Sequence, residues 1–150
     1  MTADDIQQKL REKHLKVTPQ RCAIYQMLLQ TTSHPTAEEV LSNVKSLFPM
    51  ISPNTVYYTL NAFEDAGLIT PINDAHTRYD ANLAPHHHLI CLRCRNIQDI
   101  HDNNLNKLEL SHKTEFKITD HRVEFYGYCR ECQGHELNKT ATNSVGRRKT

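Results

Sequence analysis

The sequence predicts an α+β protein: an N-terminal winged helix-turn-helix domain followed by a small α/β domain. Three observations carry that expectation. Helix-start signals recur four times before residue 67, a strand–turn–strand pattern follows, and from about residue 83 the apolar residues fall in short strand-like runs. The expected boundaries are 1–82 for the first domain with its hinge and 83–136 for the second. A polar tail, 137–150, is expected to be disordered because it has too little apolar surface to bury.

Thr2 and Asp5 suit a capping box, in which each side chain satisfies the other residue's backbone N–H at the start of a helix. Thr18-Pro19 supplies a capping hydroxyl followed by a ring whose φ is already helical. The run "CAIYQMLLQ" then places Ile24, Met27 and Leu28 at helical spacing. Thr36 and Glu39 repeat the capping box ahead of Val40, Val44 and Leu47, which are expected to line one face. Ser52-Pro53 opens a last helix through "NTVYYTLNAFEDAG", stopping near Gly67. These last two helices, joined through "FPMIS", match a helix-turn-helix, whose second helix enters the major groove by its N-terminal end. Asn54, Thr55, Tyr57 and Tyr58 are expected on its exposed face, with Val56, Leu60 and Phe63 toward the core. Hydroxyl and amide groups at those positions can bond phosphates or base edges. "LITPINDAHTRYD" reads as two short strands, a wing. In the second half, "HLIC", "NIQDIH" and "KITDHRVEFYGYC" read as strands, with an amphipathic helix expected over about 102–115.

Composition narrows the class. Charged residues make up 23% and hydrophobic ones 38%, as in soluble globular proteins. No apolar run spans a bilayer and no signal-peptide core opens the chain, so a cytoplasmic location without membrane contact is expected. A net charge of +1 gives no strongly basic total. A local cluster of Lys9, Arg11, Lys13, Lys16 and Arg21 is opposed only by Glu12, and it is either a phosphate-contacting patch or a solvated face.

The chemistry concentrates in "APHHHLICLRC". Of five cysteines, Cys91/Cys94 and Cys129/Cys132 form two Cys-x-x-C pairs, while Cys22 stands alone. In a reducing compartment four such thiols suit a tetrahedral structural zinc, although 34 residues separate the pairs. A thioredoxin-like dithiol would need one pair at a helix start, whereas both pairs here end a strand. On an extended strand His86 and His88 point one way, and His87 points the other way with Cys91. Two imidazoles on one face, with Asp80 and Asp99 close in sequence, suit a borderline divalent metal.

Taken in order, "LKVTPQR", "HPTAEEV", "SPNTVYYTLNAFEDAGLI", "RYD", "HHHLICLRC", "IQDIH", "HRVEFYGYC" and "CREC" resemble the ferric-uptake-regulator superfamily of metal-dependent repressors, over nearly the whole chain to about residue 135. The resemblance implies a DNA-binding winged helix, a homodimer formed through the second domain, and a palindromic double-stranded DNA operator. It implies structural zinc on Cys91, Cys94, Cys129 and Cys132, and a regulatory Fe(II) or Mn(II) at the hinge on His34, Asp80, His86, His88 and Asp99. DNA contact would fall to Lys13, Lys16, Arg21, Asn54, Thr55, Tyr57 and Tyr58. Iron regulators of the family usually carry glutamate where this chain has Asp80 and Asp99, and arginine where it has Tyr58; the peroxide-sensing branch has aspartate at both ligand positions. A further site of some members would fall on Pro85, His87, Asn106 and His121, where proline has no ligand atom, leaving His87 and His121 as ordinary hydrogen-bonding histidines.

The expected function is therefore repression, not catalysis, with peroxide sensed by metal-catalysed oxidation of His34 or His86. The alternatives are an iron, zinc or nickel availability regulator of the same superfamily and, outside it, a zinc-containing thiol oxidoreductase. The H-x-E…P-C-x-x-C pattern of zinc deaminases and the H-E-x-x-H of zinc proteases are both missing.

Overall fold

The computed structural model describes residues 1–73 and 76–134. Residues 74–75, in the expected wing turn, and the expected tail at 137–150 lie outside the described residues.

Four helices come first: α1 (Ala3–Glu12), α2 (Pro19–Gln30), α3 (Ala37–Val44) and α4 (Pro53–Asp65). Each begins where the sequence supplies a cap. Thr2/Asp5 and Thr36/Glu39 both close reciprocal capping boxes, and Thr18 and Ser52 cap helices whose first residue is proline. α4 stops at Gly67, whose φ of +65° lets its N–H reach the Glu64 carbonyl while Leu68 N–H reaches that of Phe63.

The helices bury Ile6, Leu10, Ile24, Leu28, Val40, Val44, Val56, Leu60 and Phe63 in one core, with Tyr25 edge-on to Phe63 at 5.4 Å. Leu47 departs from expectation. α3 ends at Val44, Leu47 is exposed, and Phe48 packs against the core in its place.

β1 (Thr70–Asn73) and β2 (Thr77–Asp80) pair antiparallel as the expected wing. β2 also touches the start of α3 through an isolated bridge between Arg78 and Thr36. A second sheet, in the order β4-β3-β5, holds β3 (His87–Cys91), β4 (Ile97–Ile100) and β5 (Glu124–Gly127). β4 runs antiparallel to β3 and β5 parallel to it.

The connection from β4 to β5 corrects the helix expected over 102–115: it forms only a 3-10 turn at Leu105–Lys107. A short amphipathic helix is stabilised mainly by a surface that covers its apolar face. Here Leu108 and Leu110 are both more than half exposed, so nothing among the described residues provides that surface. The strand read into "KITDHRVEFYGYC" likewise shrinks to Glu124–Gly127, the stretch that pairs with β3.

The buried apolar cluster of this second part is small: Ile90 and Ile97 with Ile72 of the wing. Those isoleucines also join the two parts of the chain. The architecture is thus the expected α+β, with nearly all of its apolar core in the helices.

Truncating Phe63, fully buried in the helical core, to alanine should cost about 3–5 kcal/mol. Tyr58→Ala on the exposed face of α4 should stay within about 0.5 kcal/mol. Urea unfolding followed by far-ultraviolet circular dichroism separates the two.

Candidate metal centre

Three strands and the turn before one helix build the first cluster. Pairing of β3 with β4 sets His88 opposite Asp99, so the two share a sheet face. His86 lies two residues before His88 on that same face. Asp80 ends β2, and His34 enters from the turn that precedes the α3 cap.

The distances are short. His34 Nε2 lies 2.8 Å from Asp99 Oδ1, and His86 Nε2 lies 2.8 Å from Asp80 Oδ2. His88 Nε2 is 3.0 Å from His86 Nε2, 3.6 Å from Asp80 Oδ2 and 3.7 Å from Asp99 Oδ1. One ligand atom each from His34, His86, His88 and Asp99 fits within 4.8 Å of all the others. Asp80 joins this set through His86 and His88. All five residues singled out by resemblance therefore converge.

The chemical state of these groups suits a cation. His34 is held below its ordinary pKa chiefly by burial, against the pull of Asp99 and Asp80, which leaves a neutral imidazole with a free lone pair. Burial alone would raise the Asp80 carboxyl. The His88 ring, the Asn82 N–H and the neighbouring imidazoles outweigh it, so the group is pulled down and ionised. The Asn82 N–H donates to Asp80 Oδ1 at 2.7 Å, which turns Oδ2 toward the imidazoles. His86 Nδ1 lies 2.7 Å from the Ala84 carbonyl, fixing the proton there and the lone pair on Nε2. Asp80 Oδ2 and Asp99 Oδ1 are buried without a hydrogen-bond partner among the described residues. Buried carboxylate oxygens turned toward imidazole lone pairs are costly unless a cation lies between them. Oxygen and nitrogen donors without thiolate suit Fe(II) or Mn(II).

The second cluster forms because β5 runs parallel to β3 with Gly127 opposite Cys91, which carries Cys129 beside the first pair. This pairing closes the 34-residue gap. The four thiols lie within 4.8 Å of one another and none is in a disulfide. The Cys129 N–H, 3.4 Å from Cys91 Sγ, is the main cause that holds the Cys91 thiol down at about 6. Burial, together with its three neighbouring thiols, pushes Cys132 up to about 12. Four thiols with one already ionised fit a tetrahedral zinc. Neither pair stands at the start of a helix, so the arrangement a redox dithiol needs is not formed.

His87 points away from both clusters. It is buried, with Nε2 3.0 Å from Asn106 Oδ1 and Nδ1 accepting from the Val123 N–H at 3.1 Å. Both ring nitrogens are engaged. His121 stacks on it at 5.9 Å and bonds the Leu105 carbonyl. No third cluster of metal-ligating geometry occurs among the described residues.

On α4, Asn54, Thr55, Tyr57 and Tyr58 are all exposed, Tyr58 to 70%. Tyr57 donates its hydroxyl to Glu38 of α3, so that group is already engaged. The Arg21 guanidinium lies over the Tyr58 ring at 5.9 Å, joining the two in one surface, and Lys13 and Lys16 are exposed. Sequence reasoning missed Arg78, which donates to the His34 carbonyl at 3.0 Å. The "RYD" triplet was the available signal, but only its aspartate was read as chemistry.

Residues 12–126 match the ferric uptake regulator family. The peroxide-responsive repressor PerR of Staphylococcus epidermidis is 40% identical over 128 residues, covering 83% of this chain and 85% of that protein. Its Staphylococcus aureus counterpart is also 40% identical, covering 83% and 86%. The Helicobacter pylori ferric uptake regulator superposes with a TM-score of 0.76 at 25% identity, over 91% of this chain and 97% of that one. The Pseudomonas aeruginosa regulator with manganese gives 0.71 at 27% identity, over 87% and 99%. On these matches the chain belongs to the ferric uptake regulator family.

Proposed function

We propose that the protein is a homodimeric, metal-dependent DNA-binding repressor that releases a palindromic operator when peroxide oxidises His34 or His86. Residues 1–82 would read DNA and 83–136 would dimerise. Cys91, Cys94, Cys129 and Cys132 would hold structural zinc, and His34, Asp80, His86, His88 and Asp99 the regulatory Fe(II) or Mn(II). One observation carries the reading: His34, in the turn before the α3 cap, lies 2.8 Å from Asp99 in the second sheet. A cation shared by them ties the reading helix to the dimerising strands. Two staphylococcal peroxide-responsive repressors at 40% identity supply the signal.

His34 would fix α4 relative to β3, because α3 follows directly from its turn and packs against α4. A dimer's two reading helices fit two half-sites only at one spacing. Metal affinity that favours this arrangement therefore becomes DNA affinity, and DNA in turn tightens metal binding. Iron(II), when held there, would activate peroxide by lending electrons that the attacked ring returns, which manganese(II) does not readily do. A ring carbon of His34 or His86 would exchange its hydrogen for a hydroxyl, the other peroxide oxygen leaving as water. The oxidised ring would then be a poorer ligand, and the tie between the two parts would open. Asn54, Thr55 and Tyr58 on α4, with Lys13, Lys16 and Arg21 beside them, would contact DNA. Tyr57 would contribute its ring edge, since its hydroxyl is held by Glu38.

Iron-loaded protein given a low peroxide dose should lose operator affinity and carry one added oxygen atom on His34 or His86. Manganese-loaded protein should keep both operator and mass. Fluorescence anisotropy with peptide mass spectrometry reads this directly; equal insensitivity of the two forms would favour a metal-availability sensor.

Cys132→Ser should abolish tight zinc retention and shift the protein to monomer on size exclusion, because so few apolar residues hold the second part together. Zinc affinity should also fall more steeply with acidity below about pH 6, where Cys91 takes up a proton that zinc must displace. The added slope is about tenfold per pH unit, read by chelator competition on both sides of that value.

A further inference from the structure

His34 reaches the cluster from an unusual backbone. Its φ is +50°, in the left-handed region that side chains rarely adopt. It also precedes Pro35, and a following proline biases a residue toward extended conformations. Such a conformation persists only where surrounding groups over-determine it. The imidazole is held on one side only, by Asp99 at Nε2. Ligating histidines are normally oriented through their second ring nitrogen, as Nδ1 of His86 is by the Ala84 carbonyl. His34 Nδ1 is buried with no hydrogen-bond partner among the described residues.

The rest of the hold comes from β2, onto the backbone. Arg78 Nη1 donates to the His34 carbonyl at 3.0 Å. The Tyr79 N–H donates to the Pro35 carbonyl at 3.0 Å, and Arg78 bridges Thr36. The turn bearing His34 is thereby attached to the strand that ends in Asp80. Glu39 lies 3.6 Å from the same Nη1, while its carboxylate also accepts from the Thr36 N–H at 2.8 Å. Arg78 is little exposed, and its planar guanidinium offers a fixed fork of donors. One strand therefore carries one ligand as a side chain and grips another by its backbone.

We propose that Arg78 is a positioning residue for the regulatory metal. Its guanidinium holds the His34 carbonyl, beside the β2 backbone contacts to Pro35 and Thr36, so that the imidazole stands in the ligand position. Without that bond the turn relaxes toward the extended backbone that Pro35 favours, and Nε2 swings away from Asp99. The inference rests on His34 being a ligand, so its test carries a control for that assignment.

Zinc-loaded dimer, stripped of regulatory metal, is titrated with Mn(II) and followed by electron paramagnetic resonance. Arg78→Ala should bind Mn(II) roughly 10–100-fold more weakly, with an altered Mn(II) spectrum because one ligand is misplaced, while zinc content and circular dichroism stay at wild-type values. Arg78→Lys, which keeps one donor but loses the fork, should recover part of the affinity. Glu39→Gln, which removes the charge beside Arg78 and leaves the carbonyl bond, should bind Mn(II) like wild type. His34→Ala should lose affinity at least as far as Arg78→Ala. Wild-type affinity and spectrum in Arg78→Ala, with loss in His34→Ala, would overturn the role of Arg78 alone. Unchanged binding in His34→Ala would overturn the ligand assignment, and the inference with it. If Arg78→Ala also loses zinc, Arg78→Lys decides: weaker Mn(II) binding at full zinc content supports the role, and unchanged binding overturns it.

Discussion

Asp80 and Asp99 bring negative charge against three buried imidazoles at the seam between the helices and the second sheet. Two carboxylates taken out of water are expensive unless a cation or several hydrogen bonds compensate them. Here the imidazole nitrogens face them at 2.8 Å, and Asp80 Oδ2 and Asp99 Oδ1 have no hydrogen-bond partner among the described residues. Protonated histidines could offset part of that charge, but burial works against protonation of His34. A divalent cation held among them would offset these charges. Under the proposed function, such a cation would add to the isoleucine contact that already joins the two parts.

The remaining architecture serves that seam from both sides. The helical part is stable by ordinary means, with capped helices around a continuous apolar core. The sheet part is not, since its own buried cluster is two isoleucines and a third from the wing. It compensates through four thiols suited to zinc, which join the ends of β3 and β5 and so hold the β3 register that aims His86 and His88. The exposed apolar residues Phe125 and Tyr126 of β5 and Leu108 and Leu110 before it suit a second copy of the chain. Under the proposed function, one cluster would hold the sheet together and the other would make its attachment conditional on metal.

Much of this was legible in the residues because local chemistry decided it. Capping boxes at Thr2/Asp5 and Thr36/Glu39, proline after Thr18 and Ser52, and Gly67 set where the helices begin and end. Strand alternation was enough to separate His86 and His88 from His87. What was not legible depended on non-local packing. The amphipathic pattern over 102–115 does not become a helix because no surface among the described residues covers Leu108 and Leu110. His34 and Asp99 are 65 positions apart, and no periodicity joins them; only the family resemblance did. Arg78 escaped notice because its partner is a backbone carbonyl, which no side-chain pattern records.

The tie across the seam is tested most directly by the DNA affinity of the zinc-loaded protein with and without Mn(II), in wild type and in His34→Ala. If one metal joins the two parts through His34, Mn(II) tightens operator binding in wild type. In His34→Ala it does not, even at Mn(II) concentrations that fill the remaining ligands. An equal gain in the two proteins would contradict the tie, because the metal would then act on DNA binding without holding the helical part at all.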